Sequence, residues 1–328
     1  GVMMENMPEL ALEWHRAGRG AVLASVVETW GSAPRRVGSQ LVVAGDGEMQ
    51  GSVSGGCVEG AVVLEAQDML ATHAAAPKLL EFGVSDDAAF AVGLACGGRI
   101  KILLQPIGGA LPEAILRDLV AARAARQAVA LISDVTGEAP PQVVERAEAP
   151  DLSEAFAKDK SGLDAEGLRY IAIHNPPLRM VVVGAVHIAQ SLIPMAQMAG
   201  YDVTLVDPRP AFGSTARFEA VRLLDAWPDE ALDEIGLDAR TAVVTLTHDP
   251  KLDDPAIMAA LRADVFYLGC LGSTRTHAKR VDRLTEAGFG AEAIARIHAP
   301  VGLNIGAMGP AEIAISIMAQ ITERLRKS

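Results

Sequence analysis

The sequence predicts an α/β protein: an N-terminal mixed α+β domain followed by a C-terminal Rossmann-like domain with a parallel sheet. In the second half, Val-rich segments alternate with helical segments of about 10–15 residues, which is typical of βαβ units. In the first half, short strands and glycine-rich turns follow one another less regularly. A Pro176-Pro177 pair interrupts the chain between these two patterns. We therefore expect two domains, over residues 1–177 and 178–328.

Composition excludes several classes of function before any motif is considered. Of the 328 residues, 50% are hydrophobic, which is enough to build two cores. A formal charge of −12 and only 4% aromatic residues argue against nucleic acid or an anionic membrane as the partner. No apolar run approaches the ~18 residues of a membrane span, and no leader peptide is visible. Three scattered cysteines predict a reducing, cytoplasmic location.

Turn residues and apolar spacing define the elements of the first half. Pro8 suits the first turn of a helix, and Gly45-Asp46-Gly47 is typical of a hairpin turn. Apolar residues from Val58 to Met69 recur near the 3.6-residue helical spacing. We expect helices over 9–16, 57–72 and 111–126, strands over 21–28, 40–43, 49–53, 100–105, 128–135 and 170–174, and a loop-rich segment over 137–167.

The second half begins with the strongest fold signal. A buried strand ends at Gly184, a tight turn follows, and His187 opens a helix. Asp207 ends the next strand about 20 residues later, where a dinucleotide-binding fold places its ribose-binding acid. However, Val186 occupies the position of the glycine that lets backbone approach a pyrophosphate, which disfavours NAD(P). We expect strands over 180–183, 202–206, 241–246 and 265–268, helices over 187–199, 254–263, 274–287 and 310–326, and a loop over 297–309.

Polar residues follow four of these strands. Ligands of open α/β sheets bind beyond the carboxyl ends of the strands, so these residues are expected to form one site. Singly, each is as consistent with a helix cap or a solvated loop. The candidates are Asp207, His248, Asp249, Gly272, Ser273 and His298, with Arg209 and Arg275 nearby.

A cysteine lies where a strand of the first half turns into a helix. Gly55 and Gly56 permit a sharp turn whose N–H groups are available to an anion, and Cys57 follows them. The helix N-terminus should lower the pKa of the Cys57 thiol, which makes this sulfur a candidate nucleophile, redox centre or soft metal ligand. Glu59, in the first turn, complements the helix dipole.

A second cysteine also borders glycines. Cys96 precedes Gly97 just before a strand, so two loops of the same kind are candidates to meet over one ligand. The alternative is that both cysteines are small buried residues in tight turns. Cys270 ends an apolar strand and is expected in the core, and the absence of a C-x-x-C pattern argues against structural zinc. Arg35 lies in a basic turn and is a candidate phosphate contact.

Several segments together resemble one protein family, and they cover nearly the whole chain in the same order. They are Gly31–Arg35, Gly51–Glu59, Gly93–Gly98, the turn at Gly184, Asp207–Arg209, Thr247–Asp249, Leu271–Ser273 and Ala299–Gly302. They resemble the XdhC/CoxI family, accessory proteins of molybdenum hydroxylases such as xanthine dehydrogenase. The resemblance implies binding of the molybdenum cofactor, its protection while a terminal sulfur is installed, and its delivery to the apoenzyme. It also implies a homodimer, a cysteine desulfurase and the target hydroxylase as partners, and Cys57 as the contact to the metal or its sulfur.

Two further functions stay open beside that of a non-catalytic insertion chaperone. An NAD(P)-dependent oxidoreductase would use the Rossmann-like half, with His248 or His298 as proton carrier. A regulatory protein would use the same half to sense a nucleotide. Val186 argues against nicotinamide binding and leaves the chaperone interpretation unaffected.

Overall fold

The chain folds into two compact units, Gly1–Pro176 and Pro177–Ser328. The structure is a computed structural model, and it describes residues 6–31, 33, 35–56, 58–83, 98–210, 218 and 221–327. Among these described residues, no helix combines the length and the hydrophobicity needed to cross a membrane.

The first unit contains two antiparallel sheets. Its strands are Val22–Trp30 (β1), Gln40–Val43 (β2), Met49–Gly51 (β3), Lys78–Gly83 (β4), Arg99–Pro106 (β5), Val129–Asp134 (β6), Gln142–Glu145 (β7), Gly162–Leu163 (β8) and Arg169–His174 (β9). Its helices are Met7–Arg16 (α1), Glu59–Ala71 (α2), Glu113–Ala124 (α3) and Ser153–Ala157 (α4). The strand orders are β3-β2-β1-β5-β4 and β7-β6-β9-β8.

Strand β1 is buried on both faces, because helices cover the larger sheet on each side. Leu23 and Val27 join the core formed with α1 and α3. Val22, Ala24 and Val26 point to the opposite face and join the core under α2. Because successive side chains of β1 point to opposite faces of the sheet, this strand contributes to both cores.

The second unit is a Rossmann-like domain, as the sequence predicted. Its strands are Arg179–Val183 (β10), Asp202–Val206 (β11), Arg222–Leu224 (β12), Thr241–Thr245 (β13), Tyr267–Cys270 (β14) and Ile297–His298 (β15). Its helices are His187–Met198 (α5), Pro228–Ile235 (α6), Pro250–Arg262 (α7), Thr274–Glu286 (α8), Ala291–Ile294 (α9) and Gly309–Lys327 (α10). All strands pair in parallel in the order β12-β11-β10-β13-β14-β15, which is that of dinucleotide-binding folds.

Some elements differ from the sequence-based expectation. Strands β7 and β8 lie in the segment expected to be loop-rich, as short edge partners of longer strands. Helix α7 begins four residues earlier than expected, because the Asp249 side chain accepts from the Lys251 amide at 3.0 Å and caps it. Strand β14 runs two residues later than expected, since pairing of Tyr267 with Ala242 fixes its register.

Candidate functional site

The turn before α2 is organised around the carboxylate of Glu59. Glu59 Oε1 accepts the backbone amides of Val53 at 3.1 Å and Ser54 at 2.7 Å, and Oε2 accepts the amide of Gly56 at 2.6 Å. The hydroxyl of Ser54 donates to the same carboxylate at 2.7 Å and accepts the amide of Val58 at 2.8 Å. The two residues that flank position 57 therefore both have their amides held by hydrogen bonds.

This arrangement gives Glu59 a larger role than its expected one of complementing the helix dipole. Burial alone would raise the pKa of Glu59, but the hydrogen bonds from Ser54, Val53 and Gly56 outweigh it and hold the pKa below its usual value. The carboxylate is thus ionised and almost completely buried, with 5% of the residue exposed. The amides of this turn were expected to be available to a phosphate, but the Gly56 amide donates to Glu59 and the Gly55 amide to Ser52.

Arg35 is connected to the same turn. Its Nε donates to the hydroxyl of Ser52 at 3.3 Å, and that hydroxyl also accepts the Gly55 amide at 2.9 Å. Gly55 and Gly56 have φ angles of +68° and +110°, which side chains rarely allow. The structure therefore brings together Arg35, the two glycines and Glu59. Cys57, Cys96 and Gly97 lie outside the described residues.

The turn after β10 is closed by a carboxylate in the same way. Asp207, at the end of β11, is 1% exposed, and its Oδ2 accepts the amide of Ala185 at 2.8 Å. The Arg209 amide and Nε both donate to Oδ1 at 2.9 Å. Burial works to raise the pKa of Asp207, but the bonds from Arg209 and Ala185 lower it below its usual value. The acid expected to meet a ribose hydroxyl is thus engaged by its own chain.

The backbone at this turn is also tightly packed. Gly184 has a φ of +118°, and a Cβ there would lie 2.9 Å from Cγ2 of Thr247. Val186 follows as the extended N-cap residue of α5, and His187 is exposed in the first turn. With one amide donated to Asp207 and a side chain at Val186, this turn has neither the free donor nor the space for close approach of a pyrophosphate.

A buried carboxylate organises the next strand end. Asp253 is 1% exposed and accepts the Thr247 hydroxyl at 2.6 Å and the His248 amide at 3.1 Å. Burial raises the pKa of Asp253, although the bonds from Thr247 and His248 oppose the shift. His248 has a φ of +65° as a result of this tight turn. Asp253 was not among the residues predicted from the sequence, where its only signal is its position in the first turn of α7.

The remaining predicted residues of the Rossmann-like unit have structural roles. Asp249 caps α7, and Ser273 caps α8 by accepting the Thr276 amide at 3.1 Å. Gly272, at a φ of +137°, makes the turn into α8. Arg280 is 2% exposed and donates to the Leu271 carbonyl at 3.2 Å.

His298 is the last residue of β15, where the sequence predicted a loop from residue 297. Its ring stacks on Tyr267 at a centroid separation of 4.8 Å. The same ring lines a separate cavity of about 300 Å³ that includes Arg324 of α10. Burial and the Arg324 charge lower the pKa of His298. Parallel pairing places His298 beside Gly269, and its ring points to the sheet face covered by α10.

Two models of protein families match this chain, one in each of its two units. A family model described as the XdhC Rossmann domain matches residues 180–321, and a model described as the XdhC and CoxI family matches residues 14–83. The chain is 30% identical over 311 residues to an Escherichia coli K12 protein named molybdenum cofactor insertion chaperone PaoD, covering 95% of this chain and 85% of that one. It is 28% identical over 328 residues to a Bacillus subtilis 168 protein named as a probable subunit of xanthine dehydrogenase, covering 94% of each.

A solved structure shares the fold. A Bacillus halodurans protein described as a xanthine dehydrogenase matches with a TM-score of 0.61 and 23% identity. The match covers 98% of this chain and 96% of that one. The two chains therefore share their architecture along nearly their whole lengths.

Proposed function

This chain belongs to the XdhC and CoxI family, and from that premise we propose that it is an insertion chaperone for the molybdenum cofactor. It binds the cofactor as cargo, protects it while a terminal sulfur is added, and delivers it to a xanthine dehydrogenase-type hydroxylase. The Escherichia coli relative, which carries the name of such a chaperone, supports this proposal.

The observation that carries the proposal is the Glu59-centred turn. It fixes the amides of Gly56 and Val58 on either side of Cys57, at the start of a helix. A sulfur ligand suits a soft metal–sulfur centre, so we assign Cys57 the contact to molybdenum or to its terminal sulfur. Glu59 is then a positioning residue, because it acts on the cargo only through the turn.

The turn after β10 in the Rossmann-like unit argues against an NAD(P)-dependent dehydrogenase. The Ala185 amide donates to Asp207, and Val186 occupies the place of a glycine. Both features remove the donors and the space that a nicotinamide dinucleotide needs at this turn. They count equally against a nucleotide sensor that uses the same turn.

The proposed partners follow from the same function. They are an apo-hydroxylase that receives the cofactor and a cysteine desulfurase that supplies the sulfur. We propose that this chain acts on both as a homodimer in the cytoplasm. The formal charge of −12 argues against nucleic acid as a further partner.

A retention experiment tests the proposal. Purified protein is mixed with molybdenum cofactor and passed through a size-exclusion column, and molybdenum in the protein peak is measured by mass spectrometry. We expect retention by the wild type, strong loss in Cys57→Ser, and no loss in the control Cys270→Ala, which removes a buried thiol of the other unit. Absence of cofactor from the wild-type peak, or equal retention by Cys57→Ser, would contradict the proposal.

A second variant tests the positioning role of Glu59, at a temperature at which a thermal melt shows the variant to be folded. Glu59→Gln keeps the size of the side chain and removes its charge, so it loosens the turn while leaving the thiol in place. We expect weaker retention together with slower transfer of the cofactor to the apo-hydroxylase. If the retention of cofactor and the rate of its transfer to the apo-hydroxylase both stay at wild-type values, Glu59 has only a structural role.

A further inference from the structure

A cavity of about 520 Å³ lies in the first unit, between the segment that leads into β2 and strand β9. Its lining carries three arginines, Arg35, Arg36 and Arg123, against one acid, Asp159. In a chain with a formal charge of −12, this is a local concentration of positive charge. We refer to it as the arginine cavity.

The arginines lie at different depths. Arg35 and Arg36 are exposed, whereas the side chain of Arg123 is only 22% exposed. Arg123 is fixed in place, because its Nε donates to Glu9 Oε1 at 2.7 Å and its NH1 group lies 2.9 Å from Nδ1 of His174. Two exposed guanidinium groups therefore flank the entrance, and a third, rigid one lies deeper.

Two polar side chains without charge, His174 and Tyr170, line the arginine cavity beside Arg123. A guanidinium group has no acceptor, so Nδ1 of His174 must accept from Arg123 and the imidazole proton is on Nε2. Burial, aided by the Arg123 charge, lowers the pKa of His174 to about 3, and the ring is neutral at physiological pH. Burial raises the pKa of Tyr170, so its hydroxyl stays protonated. His174 and Tyr170 are thus neutral polar members of the lining, and the nearby carboxylate of Glu9 is paired with Arg123.

This combination matches one ligand chemistry. A phosphate group offers terminal oxygens to several donors at once and carries the charge that guanidinium groups pair with most strongly. The volume lies within the ~300–1,000 Å³ range of small-molecule sites, so it accommodates more than an isolated ion. We propose that the arginine cavity binds the phosphate group of a phosphorylated small molecule.

The location of the cavity connects it to the cargo. Arg35 lines the arginine cavity and also donates to Ser52 of the turn that precedes Cys57. The inference rests on the proposed function for the source of the ligand, since the pterin of the molybdenum cofactor carries a phosphate. The cavity then holds the phosphate end of the cargo in the same unit as the Cys57 turn.

The site itself is tested with inorganic phosphate by calorimetric titration in a phosphate-free buffer. The double variant Arg35→Gln, Arg36→Gln removes two charges from exposed positions and should fold normally, which a thermal melt checks. The matched control is Arg117→Gln, an exposed arginine of α3 outside the cavity lining. We expect at least ~10-fold weaker binding in the double variant and no change in the control. No binding to the wild type, or equal binding to the double variant, overturns the inference.

The source of the phosphate is tested with the oxidised, metal-free pterin released from the cofactor, before and after its phosphate is removed. Because this probe lacks the metal, its binding does not depend on Cys57. Tighter binding of the phosphorylated form, lost in the double variant, supports the cargo as the source, and equal binding of both forms refutes it. If the phosphorylated pterin binds but the intact cofactor is not retained, the proposed function fails and the cavity assignment stands. If the double variant retains the intact cofactor as the wild type does, the cavity assignment fails and the proposed function stands.

Discussion

Replacing Glu59 by glutamine should destabilise the first unit, because one carboxylate satisfies three backbone amides of the same turn. The glutamine oxygen can still accept from Val53 and Ser54, as Oε1 does in the wild type. The amide of Gly56 would then face an NH₂ group instead of Oε2, which accepts it at 2.6 Å. The hydroxyl of Ser54 also lies 2.8 Å from Oε1 and can still donate to it. The variant therefore loses one hydrogen bond outright and the charge assistance of the other three.

The magnitude follows from the number of bonds affected. A hydrogen bond to a charged group contributes about 1.5–3 kcal/mol, and a neutral one about 1 kcal/mol. Losing one bond and weakening three gives an expected loss of at least about 3 kcal/mol in the free energy of unfolding of the first unit. Glu65→Gln, on the same helix, is the control, because its ion pair with Lys78 is partly exposed and contributes at most about 1 kcal/mol.

The lowered pKa of Glu59 determines how the stability difference between wild type and Glu59→Gln changes with pH. The pKa of Glu59 is lowered in the folded protein, so its contribution is fully present above the unfolded-state pKa and is lost as pH falls through the folded-state pKa. The difference between wild type and Glu59→Gln should therefore be largest near neutral pH. It should shrink in acid, below the ordinary pKa of a glutamate, as the wild-type carboxylate takes up a proton.

Urea unfolding followed by tryptophan fluorescence measures this difference. In a Trp227→Phe background, the signal comes only from Trp14 and Trp30 of the first unit. Hydrogen exchange of the Ser54 and Gly56 amides gives a local measurement, and both should exchange faster in Glu59→Gln. Equal midpoints at neutral pH, or a difference that does not change between neutral and acidic pH, would refute the reasoning.

Three other substitutions or treatments have definite expected outcomes. Gly184→Ala should destabilise the second unit by about 1–3 kcal/mol and so lower its thermal midpoint. The reason is that a Cβ at this position would lie 2.9 Å from Thr247, at a positive φ that favours glycine. An unchanged melt would contradict this. Cys270, whose pKa burial raises to about 12, should resist iodoacetamide in the folded protein while Cys57 is alkylated, as peptide mass spectrometry would show. NAD⁺ should not raise the thermal midpoint of the wild type or of Val186→Gly, because the amide after the turn glycine already donates to a carboxylate; a rise in either protein would reopen the dehydrogenase alternative.

The elements that the sequence predicts well are those in which burial requires apolar residues to recur at a regular spacing. Strands β10 and β11 and helix α5 end within one residue of their expected limits, because each buries a continuous or periodic apolar face. Strands β7 and β12 could not be found in the same way. They are short edge strands of four and three residues, and their pairing partners rather than their own sequence define them.

The sequence could predict which residues belong to the candidate site, but not which hydrogen bonds connect them. The sequence indicated that Gly56 and Glu59 belong to one turn, and their spacing of three residues is half of a capping box, in which the acid reaches back to an amide. It could not show that Asp207 bonds to Ala185, since 22 residues separate them and only the register of β10 and β11 brings them together. Nor could it show that the ring of His298, at the end of β15, stacks on Tyr267.

The two glycine turns share a design that bears on what each can bind. In both, the amide that would hold an external anion donates instead to a buried carboxylate of the same chain, Glu59 in one unit and Asp207 in the other. A turn completed in this way does not need a ligand to be stable, and a second anion placed there would be repelled by the first. Such a turn suits the presentation of a neighbouring side chain better than the capture of a phosphate. Under the proposed function, the metal end of the cargo would therefore lie at the turn around Cys57 and its phosphate end in the arginine cavity, whose Arg35 donates to Ser52 of the same turn.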